Sequence, residues 1–141
     1  MHVGNIDPLS TPIRVDGRAF AQMLAAADEA MPLEACGLLF GDGGRIEDAS
    51  IARNIAAEPH RRFEIAPAHL FDGHRRGRAG PPFLIGCWHS HPGGSSLPSA
   101  EDRAGVHDLG WLWLIVAGGG LRGFRPTADG FDEVALIPPL L

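Results

Sequence analysis

The chain has 141 residues, enough for one domain with a substantial core and with little room for a second. Hydrophobic residues make up 45% and the formal net charge is −5, a balance that gives no support to a nucleic-acid or membrane-surface partner. The two cysteines, Cys36 and Cys87, lie inside apolar runs and not at the spacing of a zinc knuckle or a redox pair, so buried free thiols are expected. The N-terminal stretch carries His2, Asn5 and Asp7 where a signal peptide would be basic and then apolar, and no run is long enough to span a bilayer. A reducing cytoplasm is the simplest compartment.

In chain order, Met1 to Thr11 reads as irregular and Ile13-Arg14-Val15 as a short strand. Asp16 can cap a helix to about Ala30, with Phe20, Met23, Leu24, Ala27 and Met31 on one apolar face and Pro32 ending it. Glu34 to Phe40 is the next strand, its Glu34, Cys36, Leu38 and Phe40 sharing a face. A carboxylate opening so apolar a strand needs a partner or a rim position. Gly41-Asp42-Gly43-Gly44 makes a hairpin turn into Arg45 to Ile51; no Lys-Ser or Lys-Thr follows, which rules against a phosphate loop.

Phe63-Glu64-Ile65 is extended, and Ala66-Pro67 opens a weak helix to about Arg75. The basic cluster His74-Arg75-Arg76-Gly77-Arg78 reads as a solvated helix end before it reads as an anion contact. Phe83 to Trp88 is a buried strand. A helix from about Ser99 to Leu109 turns Ala100, Val106 and Leu109 inward, and His107, about 140° around from Asp102, faces elsewhere. Three strands follow: Trp111 to Val116, Leu121 to Arg125 and Phe131 to Ile137, joined at Gly118-Gly119-Gly120 and at Ala128-Asp129-Gly130. The fold class is therefore α/β in the α+β sense, with one mixed sheet flanked by helices.

The chemistry concentrates between Trp88 and Asp102. Residues two apart on a strand share a face, so His89 and His91 aim their imidazoles into one space while Ser90 turns away. Paired neutral imidazoles suit a divalent transition metal, zinc first. Pro92-Gly93-Gly94-Ser95-Ser96 loops over to a helix entrance at Pro98-Ser99, which returns Asp102 as a third ligand. Three protein ligands are the catalytic arrangement, since a fourth position stays open to water. Each fragment also has a plain reading: His-x-His as a polar pair, Ser99-x-x-Asp102 as a helix cap.

The ordered pattern His89-x-His91-Pro92, six residues, Ser99-x-x-Asp102 resembles the signature of the JAMM, or MPN-plus, zinc metalloproteases. Pro32-x-Glu34-x-Cys36-Gly37-Leu38-Leu39-x-Gly41 resembles the upstream segment of its small stand-alone bacterial members. The resemblance implies one MPN domain over residues 1–141, a curved mixed sheet flanked by helices, cytidine-deaminase-like in layout. It implies Zn²⁺ held by His89, His91 and Asp102, Glu34 as the base acting on water, and Ser99 as donor to the oxyanion, with capping an alternative for Ser99. It further implies hydrolysis after the C-terminal Gly-Gly of a ubiquitin-like protein. With its small size and no long insertion after Asp102, the chain resembles members that trim amino acids, such as a newly made cysteine, from β-grasp sulfur carriers more than members that cut ubiquitin chains.

Rival chemistries lack their residues. A zinc deaminase needs His-x-Glu with Pro-Cys-x-x-Cys, a gluzincin needs His-Glu-x-x-His, and neither cysteine sits at an electropositive helix start. The alternative from another class is a non-catalytic MPN scaffold. The apolar end Ile137-Pro138-Pro139-Leu140-Leu141 suits either a homodimer or partner contact or a loose tail.

Overall fold

The computed structural model describes residues 11–139 and the backbone of residues 2–4. Strands β1 (His2–Gly4), β2 (Ile13–Val15), β3 (Cys36–Gly41), β4 (Arg45–Ala49), β5 (Phe83–Ser90), β6 (Leu112–Ala117), β7 (Gly120–Pro126), β8 (Gly130–Val134) and β9 (Leu136–Ile137) form one sheet. Its order is β1-β8-β7-β6-β5-β3-β4-β2-β9. The sheet is mixed: β5 pairs antiparallel with β3 and parallel with β6, so the strand that carries His89 and leads directly into His91 lies in the sheet interior.

Helix α1 (Gly17–Ala30) covers one face, burying Ala19, Met23 and Ala26 in the cluster that also holds Leu39, Trp88 and Leu114. Phe20, Leu24 and Ala27 flank that stripe, whereas Met31, expected on it, lies past the helix end and is 55% exposed. Asp16 occupies the cap position without capping; its carboxylate instead accepts from Arg45 Nε at 2.7 Å. On the other face Cys36, Leu38 and Phe40 pack with Cys87, Trp113, Ile115, Phe124 and Phe131, and α2 (Pro67–Arg78) lies over them. This helix runs nearly a turn past the expected Arg75. Arg76, in the last turn, stacks its guanidinium 3.9 Å from the Phe40 ring centroid and pairs with Asp48 at 2.6 Å, which folds part of the basic cluster into the structure.

Two expectations are corrected. The last strand, expected from Phe131 to Ile137, breaks at Ala135: β8 pairs with β7 while β9 pairs with β2 at the far end of the order. One residue thus links β8, next to one edge, to β9 at the other, Ile13 N–H donates to the Ala135 carbonyl at 2.9 Å, and the sheet is curled until its two sides meet. Gly123 permits this, because a Cβ there would sit 3.0 Å from Leu136 and 3.2 Å from Leu114. The helix expected from Ser99 to Leu109 is only α3 (Ala100–Ala104), ended at Gly105, whose N–H bonds the Glu101 and Asp102 carbonyls. Ala100 is exposed and Leu109 is 54% exposed, so of the three residues expected inward only Val106 packs on the core.

The expectation of an irregular Met1 to Thr11 fails at β1 and otherwise falls largely on residues 5–10, outside the described residues, as do Leu140 and Leu141 of the apolar end. Among the described residues no helix is long and apolar enough to cross a membrane.

Candidate metal centre

Strand β5 reaches the site because β3 and β6 hold it on both sides, and at Gly86 the approach to β6 is so close that a Cβ would lie 1.9 Å from the Leu112 carbonyl oxygen. At its end the alternation works as the sequence requires. Ser90 turns the opposite way from the histidines and is buried, its Oγ accepting from Ala35 N–H at 2.8 Å, so β5 is fastened to the residue beside Glu34. His89 is fully buried and stacks on Phe63 with centroids 4.4 Å apart, while Trp113 meets it edge-on at 5.7 Å. His91 is set by its backbone N–H bond to the Val116 carbonyl at 2.9 Å and by Nδ1 against the Ser95 carbonyl at 2.7 Å. An Nδ1–H donated to that carbonyl leaves Nε2 as a lone-pair donor toward the site.

Asp102 performs both roles the sequence offered. Ser99 Oγ accepts from Asp102 N–H at 3.0 Å and Asp102 Oδ2 accepts from Ser99 N–H at 2.9 Å, a reciprocal capping box. The same carboxylate places Oδ1 3.0 Å from His89 Nε2 and Oδ2 3.0 Å from His91 Nε2. The two Nε2 atoms are themselves 3.0 Å apart. Glu34 enters from the residues before β3, buried at 4% exposure, and its carboxylate lies within 4.8 Å of all three.

This donor set fits zinc. Ligand atoms about 2.0–2.1 Å from a tetrahedral ion stand roughly 3.3 Å from one another, close to the spacing here, and two imidazoles with a carboxylate are its ordinary ligands. Glu34 Oε1 and His89 Nδ1 are buried polar atoms with no hydrogen-bond partner among the described residues, an exception expected at a functional centre. Electrostatics agree. Burial pushes the Glu34 carboxyl up to about 7, helped by the charge of Asp102. Burial also pulls His89 down from its ordinary value. Burial opposes ionisation of Asp102, yet the charge and hydrogen bond of His89 and the bond from His91 outweigh it and hold the carboxyl below its usual range.

Prok-JAB, the family of prokaryotic homologs of the JAB domain, matches residues 17–128. The chain belongs to that family. A desampylase from Haloferax volcanii is 31% identical over 108 residues, spanning 74% of this chain and 78% of that protein. A solved structure of a protein from Desulfitobacterium hafniense superposes with a TM-score of 0.79 at 30% identity, covering 92% of this chain and 94% of its own. The JAMM domain described as a metalloprotease-like zinc site in the proteasome and signalosome shares the fold, with a TM-score of 0.59 at 21% identity over 92% of this chain and all of its own. This Prok-JAB chain is accordingly a JAMM-type hydrolase of the small prokaryotic kind, and its cluster of Glu34, His89, His91 and Asp102 suits Zn²⁺.

Of the expected site residues, the structure brings Glu34, His89, His91 and Asp102 into one cluster and puts Ser99 beside it through Asp102. His107 stays out, though not for the helical angle expected: it lies beyond the end of α3 and is exposed. Asn54 is a positioning residue that sequence reading passed over. Its Nδ2 donates to the carbonyls of Glu34 and Arg62 at 3.0 Å each, and its Oδ1 accepts from Ala56 and Glu64 N–H at 3.0 and 3.1 Å. The one signal for it was an Asn just after a strand, where side-chain amides hold turns. In the sequence Phe63 reads only as part of an extended stretch; nothing local marks it as the surface on which His89 stacks.

Proposed function

We propose that this domain hydrolyses a peptide or isopeptide bond following the C-terminal Gly-Gly of a ubiquitin-like protein, a β-grasp sulfur carrier before ubiquitin itself. In this reading His89, His91 and Asp102 hold zinc, Glu34 is the general base and Ser99 the oxyanion donor. The observation that carries it is convergence: a Glu before β3, His89 on β5, His91 just past its end and an Asp from α3 meet within 4.8 Å in a buried centre. The deconjugating name of the Haloferax relative points to the same substrate class.

Zinc there supplies Lewis acidity, drawing density from a carbonyl oxygen and easing loss of a proton from water. The remaining steps belong to the chain. Burial raises the proton affinity of the Glu34 carboxylate, which suits it to taking a proton from the attacking water and passing it to the leaving amine. Asp102, ionised at neutral pH, keeps its oxygens as acceptors. Ser99 Oγ accepts from Asp102 N–H, and a hydroxyl that accepts still has a proton to donate to a developing oxyanion. One such donor is typically worth about 3 kcal/mol in the transition state.

Mass spectrometry of a Gly-Gly carrier extended at its C-terminus, incubated with zinc-loaded protein, tests the reading. Release of the extension with zinc, and none with chelator, is the expected result; an unchanged mass with zinc bound, or purified protein that holds no zinc, favours a non-catalytic scaffold.

A further inference from the structure

A cavity of about 370 Å³ adjoins the metal centre, with Asp102 forming part of both. Its floor is aromatic, built from Phe63, Trp111 and Trp113, and Glu64, Glu101 and Asp108 supply its acidic groups. No Arg lines it, and the chain contains no lysine at all. Among the described residues neither Glu64 nor Glu101 forms an ion pair, and Asp108 spends one oxygen on the Gly110 N–H at 2.7 Å. Uncompensated carboxylates around aromatic faces attract a cation with an apolar stem, through Coulomb attraction and through the ring faces.

A metal ion is the wrong occupant. Among the described residues only Glu34, His89, His91 and Asp102 converge closely enough to hold one, so the cavity's carboxylates are spaced for something larger. Glu101 places the cavity next to the chemistry, since its charge is felt at Glu34.

We infer that this cavity receives the side chain of the residue released from the carrier, and that it selects a long cationic side chain, arginine or lysine. The inference rests on the Gly-Gly reading above: the two residues on the acyl side have no side chains, so a cavity of this size beside the scissile bond is filled from the leaving side. A small leaving residue such as cysteine would leave most of it empty.

Two measurements test this separately from the hydrolase reading. The first needs no turnover: argininamide and leucinamide are titrated into the zinc-loaded protein while the fluorescence of Trp111 and Trp113 is followed. Argininamide should bind saturably and at least tenfold more tightly than leucinamide, and the double substitution E64Q/D108N should erase the difference. The second compares kcat/KM for a carrier extended after Gly-Gly by Arg, Leu or Asp. The expected order is Arg above Leu above Asp, with Arg over Leu by about tenfold. G105L adds a variant that blocks the cavity by bulk: Gly105 lines it, and a Cβ there meets only carbonyl oxygens at 3.5 and 3.6 Å, so the fold accepts the change and the Arg preference should fall. Argininamide that binds no better than leucinamide overturns the inference whatever the enzyme cleaves. Selective binding with no extended carrier cleaved would uphold the cation pocket and overturn the proposed reaction.

Discussion

Replacing Glu34 with Gln separates metal binding from chemistry, and the structure sets the size of both effects. Glu34 keeps its shape as Gln but loses the ability to accept a proton, so kcat should fall by about 10²–10⁴, the range for loss of a general base. Zinc stoichiometry should hold at one per chain, because His89, His91 and Asp102 contact one another at 3.0 Å without help from Glu34. The buried carboxyl also predicts a pH slope in protein stripped of metal. Its folded pKa, raised from 4.5 to about 7, lies above the unfolded value. The stability it contributes is complete below about pH 4.5 and is lost as pH rises through 7, a drop of about 3 kcal/mol by linkage. Asp102, shifted the other way, loses its contribution only as pH falls below its usual range, so the two windows do not overlap. His91 is raised, burial being outweighed by Asp102 with a smaller part from the charge of Glu34; its contribution also falls as pH rises, and E34Q lessens that fall as well. Urea unfolding of chelator-treated wild type and E34Q between pH 4.5 and 8 should therefore show a decline in wild type that E34Q largely lacks. Parallel curves would refute the buried-carboxylate argument; E34Q that keeps activity within a few-fold, or loses zinc together with activity, would refute Glu34 as base.

Other residues give sharper structural expectations. N54A removes the amide that holds the Glu34 carbonyl and the Glu64 N–H, at about 1 kcal/mol per hydrogen bond, and should lower the thermal midpoint and kcat while zinc content stays constant. Arg122 on β7 donates to Ser96 Oγ at 3.2 Å and to Glu133 at 3.1 Å, anchoring the loop whose Ser95 carbonyl orients His91; R122M should weaken zinc about tenfold by competition with a chromogenic chelator, with little change in melting. Burial, and then the charge of Glu34, pushes the Cys36 thiol up to about 12, and burial drives Cys87 well above its ordinary value. Neither thiol should react with iodoacetamide at pH 8 in the native protein, and both should in denaturant; alkylation that abolished activity would revive a thiol mechanism.

The residues legible in advance were those whose meaning lies in short spacing. His89 and His91 share a face because a strand alternates, and Ser99 and Asp102 meet because a first helical turn brings them together. Glu34 was legible only through family pattern, since nothing in a Glu before an apolar strand says what lies opposite it. The misread parts depend on closure. Whether Phe131 to Ile137 is one strand or two is decided by the curl of the sheet, which no window of residues records, and the break at Ala135 follows from β2 waiting at the other edge. Helix α3 was overextended because Val106 and Leu109 keep a helical rhythm past Gly105, where the backbone has already turned into the segment that walls the cavity.

That early ending of α3 bears on how the centre works. Asp102 sits in the first turn of a five-residue helix, too short to be stable from its own backbone bonds, so its position is fixed by the capping box with Ser99 and by the histidines it contacts. The helix and the ligand set are therefore one cooperative unit: a metal that draws His89, His91 and Asp102 together also stabilises the turn that carries Ser99 and Glu101. S99A removes the cap as well as the hydroxyl, so its loss of activity mixes two causes, whereas S99T keeps the cap and the donor and changes only the bulk beside the scissile bond. If Ser99 acts as donor, S99T should recover zinc affinity and most of kcat. If Ser99 serves only as the cap, S99D, which caps without a hydroxyl proton to give, should recover activity as well as S99T does. Comparing those two variants by zinc affinity and by kcat assigns the side chain to one role or to both.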